Sequence, residues 1–98
     1  MLVKIHESYR YVVSICDTEL LGRKLIQEPY QLDLTGNFFR GDEKTPEETE
    51  EIIEDMKLED ATFNIVGKES IALAIKLGII KPEGILQIEN VPIALSLL

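Results

Sequence analysis

The 98 residues carry a formal net charge of −8, with 45% hydrophobic, 29% charged and 6% aromatic side chains and no tryptophan. A chain this small buries roughly 60 to 70% of its unfolded surface, so a single domain over residues 1–98 with one aliphatic core is expected and a wholly disordered chain is excluded. The lone cysteine, Cys16, excludes an internal disulfide and a multi-thiolate zinc site; with no signal-peptide pattern and no apolar run near the ~20 residues of a membrane span, the expected home is the cytoplasm.

Residues 2–7 alternate in period two, with Val3 and Ile5 on one side and Lys4 and His6 on the other. Residues 11–16 repeat the pattern with Tyr11, Val13 and Ile15, and the short link Ser8-Tyr9-Arg10 predicts a β-hairpin. Asp17 stands where an N-cap belongs, for a short helix through Leu20 and Leu21 toward Lys24 that Gly22 weakens. After Pro29, residues 30–34 alternate again and predict a third strand. Thr35-Gly36-Asn37 is turn chemistry, and Phe38-Phe39 is expected to fold back over one end of the core.

Thr45-Pro46-Glu47-Glu48 is the clearest local signal: an N-cap threonine, proline in the first helical position and a glutamate placed for a capping box. The helix it starts has Thr49, Ile52, Ile53 and Met56 on one stripe, while Glu47, Glu50, Glu51, Glu54 and Asp55 face water. Residues 42–60 hold ten acids and two lysines, which is the whole charge imbalance. Acidity therefore argues against nucleic acid for this segment only. Residues 62–66 read as a strand ending at Gly67, and residues 68–77 as a helix apolar nearly all round, buried and closed by Gly78. Residues 85–89 form a last extended segment that Pro92 ends, and a parallel pairing of it with residues 62–66 would be right-handed. Together these elements predict an α/β domain, a small two-layer sandwich on a mixed sheet that starts with an antiparallel hairpin and carries two main helices.

Two constellations could bind something. The junction with Asn64, Gly67, Lys68 and Ser70 has the outline of an anion-binding turn, which would suit a small enzyme or a phosphate-ligand binder. It lacks the further glycines of the dinucleotide and Walker patterns, and Glu69 would oppose an anion, so a plain βα turn is the preferred reading. The bases Arg10, Arg23, Lys24, Arg40 and Lys68 fall in or beside predicted turns and helix ends. Brought together, they would form a patch that contacts phosphate without reading bases. His6 has no partner to hold it as a base, Cys16 reads as a buried inert thiol, and the acidic helix lacks the glycine-containing loop spacing of calcium sites. No catalytic residue, metal ligand or cofactor is expected, and the apolar end, residues 93–98, is a candidate homo-oligomer contact.

Met1-Leu2-Val3-Lys4-Ile5-His6-Glu7-Ser8, Cys16-Asp17 before Leu20-Leu21-Gly22, Gln31-Leu32-Asp33-Leu34, and Asn64-Ile65-Val66-Gly67 with its following helix resemble an archaeal family of uncharacterised proteins, domain of unknown function 424. The resemblance runs over nearly the whole chain. Members tend to follow the late Val-Pro with His-Ala-Gln, whereas Val91-Pro92 is followed here by Ile93-Ala94-Leu95, so no role of that histidine carries over. The resemblance implies a place near archaeal translation and RNA processing and names no catalytic residue. The leading expectation is a non-enzymatic accessory or binding protein whose partner is RNA, a ribosomal particle or a translation protein.

Overall fold

The computed structural model describes residues 1–95 of the chain. The opening hairpin forms as its alternation requires, with β1 (Leu2–His6) and β2 (Val12–Cys16) antiparallel from Leu2 opposite Cys16 to His6 opposite Val12. Successive side chains of a strand point to opposite faces and cross-strand partners share one. Val3, Val13 and Ile15 therefore face one layer, while Lys4, His6 and Ser14 face the other.

The next segment departs from expectation. The predicted helix after Asp17 is a single 3-10 turn, Thr18–Leu20, and Lys24 opens a strand. Gly22, at φ +90°, takes the chain out of helical geometry. The chain then builds a two-stranded ribbon, β3 (Lys24–Gln27) against β4 (Tyr30–Asp33), turning at the cis Glu28-Pro29 bond. The predicted third strand is thus present, but with an unforeseen partner and outside the main sheet.

β5 (Asp42–Glu43) then pairs with the outer edge of β1 at Leu2 and Val3 alone. α1 (Pro46–Leu58) starts on the predicted capping box: Thr45 Oγ1 accepts from the Glu48 amide at 3.1 Å, and the Glu48 carboxylate accepts from the Thr45 amide at 2.9 Å. Thr49 and Ile53 are fully buried and Ile52 and Met56 pack beside them. α1 carries the chain to β6 (Thr62–Val66), which lies parallel to β2. The parallel pair is therefore β2 with β6, and the expected pairing of residues 62–66 with the last extended segment is absent among the described residues.

α2 (Lys68–Lys76) is buried on one side only, through Ser70, Ile71, Leu73 and Ala74, and leaves Ala72 and Ile75 exposed. Among the described residues the sheet covers one flank and nothing packs on the other, so the expected all-round burial does not occur. After it, β7 (Leu86–Ile88) and β8 (Val91–Leu95) form a tight hairpin over Glu89 and Asn90, both at positive φ. Two such residues make the turn whose twist matches paired strands.

Pro92 does not end this segment; it lies inside β8. Its carbonyl accepts from the Gly67 amide at 2.9 Å, and the Gly67 carbonyl, which an N–H at Pro92 would face, accepts from Ile71 instead. Proline thus costs the sheet no hydrogen bond here. Ile93 and Ala94, expected in a docking tail, are buried where β8 pairs with β6, leaving Leu95 46% exposed. Residues 96–98 of that tail lie outside the described residues.

The sheet order is β5-β1-β2-β6-β8-β7, and only β2 and β6 run parallel. Both helices cover one face, where Ile53, Ile71, Leu73 and Ala74 meet Val13, Ile15, Phe63, Ile65 and Ala94. The predicted α/β sandwich is present, and the ribbon adds a partial layer over the opposite face. There Leu25, Leu34 and Phe39 cover Cys16, Val66 and Ile93. The rest of that face, with Lys4, His6, Ser14 and Asn64 beside Val12 and Leu95, is mostly polar and lies beyond the ribbon.

Candidate nucleic-acid interface

Three side chains of this polar half-face hold the loop that comes after β4. Lys4 Nζ donates to the Asn37 carbonyl at 3.0 Å. Ser14 Oγ donates to the Phe38 carbonyl at 2.8 Å, and His6 Nε2 meets the same oxygen at 3.0 Å. A carbonyl only accepts, so Nε2 carries the hydrogen. His6 therefore cannot take a proton from Ser14 through that nitrogen, although the two lie 3.3 Å apart. The pair is a clamp on a backbone oxygen and supplies no activated nucleophile.

The clamp fixes an aromatic side chain. The Phe38 ring stacks on His6 with centroids 4.4 Å apart and planes 14° from parallel. Phe39 meets Phe38 edge-on at 5.0 Å and is itself buried in the ribbon-side core. Phe38 remains 45% exposed.

A cationic groove lies at the outer edge of β1. At Gly41 the chain comes onto the edge of β1 to enter β5, and a Cβ there would sit 2.3 Å from the Val3 carbonyl oxygen, so only glycine fits. Beyond that point β1 has no outer neighbour among the described residues. The exposed edge forms an open groove of about 460 Å³ bordered by Lys4, Ile5, Arg40, Asp42, Lys44 and Ile52. Among the described residues, Lys4, Arg40 and Lys44 have no carboxylate within 4.0 Å, whereas Arg10, Lys57 and Lys76 each have one.

The five bases singled out in the sequence do not converge. Arg10 lies in the β1–β2 loop with Asp60 at 4.0 Å. Arg23 and Lys68 border a depression beyond the C-terminal end of β2, shared with Asp17, Glu19, Glu69 and Glu89. Lys24 lies opposite Asp33 in the ribbon. Only Arg40 belongs to the groove, where it meets Lys4 and Lys44. Sequence reading missed those two because Lys4 reads as the solvent side of a strand and Lys44 sits within the acidic segment.

The turn at Gly67 does bind an anion, but the anion is the chain's own. The Asp17 carboxylate accepts from the amides of Glu69 and Ser70 at 3.1 and 2.8 Å and from Ser70 Oγ at 2.6 Å. A Cβ on Gly67 would lie 2.2 Å from Asp17 Cγ. Lys68 points away into the Arg23 depression, and Asn64 sits on β6 beside Ser14, outside the turn. His6 is level with Val12 and Thr62, five residues down the sheet from Gly67, or about 16 Å at strand spacing. The depression that Lys68 borders does not include His6.

Cys16 is buried, and burial first, then the charges of Asp17 and Glu19, push its thiol up to about 12. Such a thiol is no nucleophile at neutral pH. The described residues contain no group of three or more His, Cys, Asp or Glu that could hold a metal ion, and none of their helices is long and apolar enough to cross a membrane.

A family model described as "Protein of unknown function (DUF424)" matches residues 6–97. The chain belongs to the DUF424 family. Comparison with curated proteins finds no match. Among solved structures, this DUF424 chain is similar to an uncharacterized conserved protein from Methanopyrus kandleri, at 22% identity and a TM-score of 0.85 over 97% of this chain and 88% of that one. At that identity the likeness shows the α/β fold of the DUF424 domain and assigns it no site.

Proposed function

We propose that this DUF424 chain is a non-enzymatic accessory protein of the cytoplasm that docks on RNA, in the setting of the ribosome or translation, through the groove at the outer edge of β1. The observation that carries this reading is the gathering of Lys4, Arg40 and Lys44 in one groove, with no carboxylate within 4.0 Å among the described residues, on the strand whose Lys4 and His6 hold the loop of the exposed Phe38. In a chain of net charge −8, three cations against one acid, Asp42, along that groove are a local inversion of sign. Cations so placed attract phosphates and fix orientation without reading sequence. The clamp chemistry of His6 and Ser14 and the suppressed Cys16 thiol support a binding role over a catalytic one. A phosphate at the Gly67 turn would have to displace Asp17 from three hydrogen bonds, so the groove is the better seat.

Titration of the protein with single-stranded RNA at several salt concentrations tests this. Three phosphate contacts give a slope of log K against log salt of roughly −2 for a single strand. Combined Lys4→Ala, Arg40→Ala and Lys44→Ala replacement should flatten that slope, while Arg10→Ala with Lys24→Ala should leave it unchanged. Absence of binding at the lowest salt overturns the proposal.

A further inference from the structure

Resting on the reading of the β1 edge as an RNA dock, we infer that the RNA is held there as a single strand, with one unpaired base stacked on the open face of Phe38. Other exposed apolar side chains, such as Tyr9 in the hairpin loop and Leu58 at the end of α1, have no contact that orients them among the described residues. Phe38 is different. Its carbonyl is gripped by Ser14 Oγ and His6 Nε2, the carbonyl before it is held by Lys4, one ring face rests on the imidazole of His6, and its edge is fixed by buried Phe39. One face is thereby backed and the other left to solvent.

A ring already fixed loses little freedom when a second ring is laid on it, so most of the stacking energy survives as affinity. Base stacking on an aromatic side chain is tolerant of sequence, because every base has a π-face, and it is available only to bases freed from a duplex. Lys4 holds the backbone one residue before Phe38 and Arg40 comes two residues after it in the chain, so the loop that carries the ring has a cation on either side of Phe38 along the chain. That is the arrangement a strand requires when its phosphates bracket a splayed base.

The full chain should quench the fluorescence of a 2-aminopurine placed inside a short single-stranded RNA and leave the same oligomer quiet once it is annealed. Phe38→Ala should weaken single-strand binding roughly tenfold and remove the quenching, from about 1 to 3 kcal/mol per stacked base. Phe38→Tyr should restore both, and Phe38→Leu, which keeps an apolar side chain without a ring, should restore neither. Thermal unfolding of each variant shows that the fold is retained. Wild-type affinity in Phe38→Leu, or equal quenching with the duplex, overturns the stacking inference and leaves RNA docking standing if the Lys4, Arg40 and Lys44 changes still weaken binding. Failure of the unmodified chain to bind any RNA overturns both.

Discussion

Asp17 stands next to a segment it could cap and instead caps a helix 52 residues further on. The cause is the parallel pairing of β2 with β6, which sets Cys16 opposite Val66 and brings the Asp17 amide to the Val66 carbonyl at 3.0 Å. The start of α2 then lies within reach of the carboxylate, and Gly67 has no side chain to do the same work. Asp17→Ala should lower stability by about 2 kcal/mol, the upper range for loss of a helix cap, because the buried Ser70 hydroxyl also loses its acceptor. Asp17→Asn should fall between, since its amide oxygen still accepts while its NH₂ meets donors. Denaturant unfolding of the three proteins checks the order, and equal midpoints would remove Asp17 as the cap. The neighbouring thiol gives a second residue-scale test. Its raised value means that the unfolded chain loses the Cys16 proton near its ordinary 9.0 and the folded chain only near 12, so folding stability drains as pH rises through that interval. Cys16→Ala should be less sensitive to pH between 9 and 12 than the parent, whatever the tyrosines and lysines common to both contribute; superimposable pH profiles would contradict it. The buried, inert thiol and the capping character of Asp17 were legible in sequence, but the helix it caps was not, because a cap supplied across a parallel pair leaves no local trace.

Elements whose signal lies within a few consecutive residues were readable, and those that depend on a distant neighbour were not. The α1 start occupies four residues, and the capping box forms as read. The hairpin of β7 and β8 was hidden because its turn, Glu89-Asn90, lacks glycine and because Pro92 argues against a strand unless the opposing Gly67 carbonyl is already taken by Ile71. The ribbon was half read, since β4 alternates plainly while β3 has only Leu25 to bury. At α1, the Thr45 amide and, less strongly, its hydroxyl hold the Glu48 carboxyl below its ordinary 4.5. A depressed value stabilises the fold above the unfolded pKa and is lost as pH falls through the folded one. Acid should therefore destabilise the parent chain more steeply below pH 4.5 than it does Glu48→Gln, which keeps an acceptor but has no charge to lose. Thr45→Ala should cost about 1 kcal/mol at neutral pH. Helicity measured through acid titration would show both, and identical acid transitions in parent and Glu48→Gln would rule out the carboxylate's contribution.

At the scale of the whole molecule, segregation of charge was plain in the sequence, while the place where the opposite charge gathers was not. Residues 4, 40 and 44 meet only because Gly41 lets the chain come close to β1 and β5 then pairs with its edge. The acids of α1 line a separate depression, bordered by Glu47, Glu50, Glu51, Glu54 and Asp55. Ile52 of the same helix borders the groove, so a phosphate approaching it feels those exposed acids strongly when the screening length is about 30 Å, at 0.01 M salt, and much less when it is about 8 Å, at 0.15 M. On the proposed reading, replacing Glu47 and Glu51 with Gln and Asp55 with Asn should thus speed RNA association several-fold at 0.01 M salt, leave the dissociation rate alone and lose most of that gain at 0.15 M. Stopped-flow association at the two salt concentrations separates these effects. A gain that persists at the higher salt, or that arises in dissociation, would mean that α1 itself touches the RNA and that the dock extends past the edge of β1.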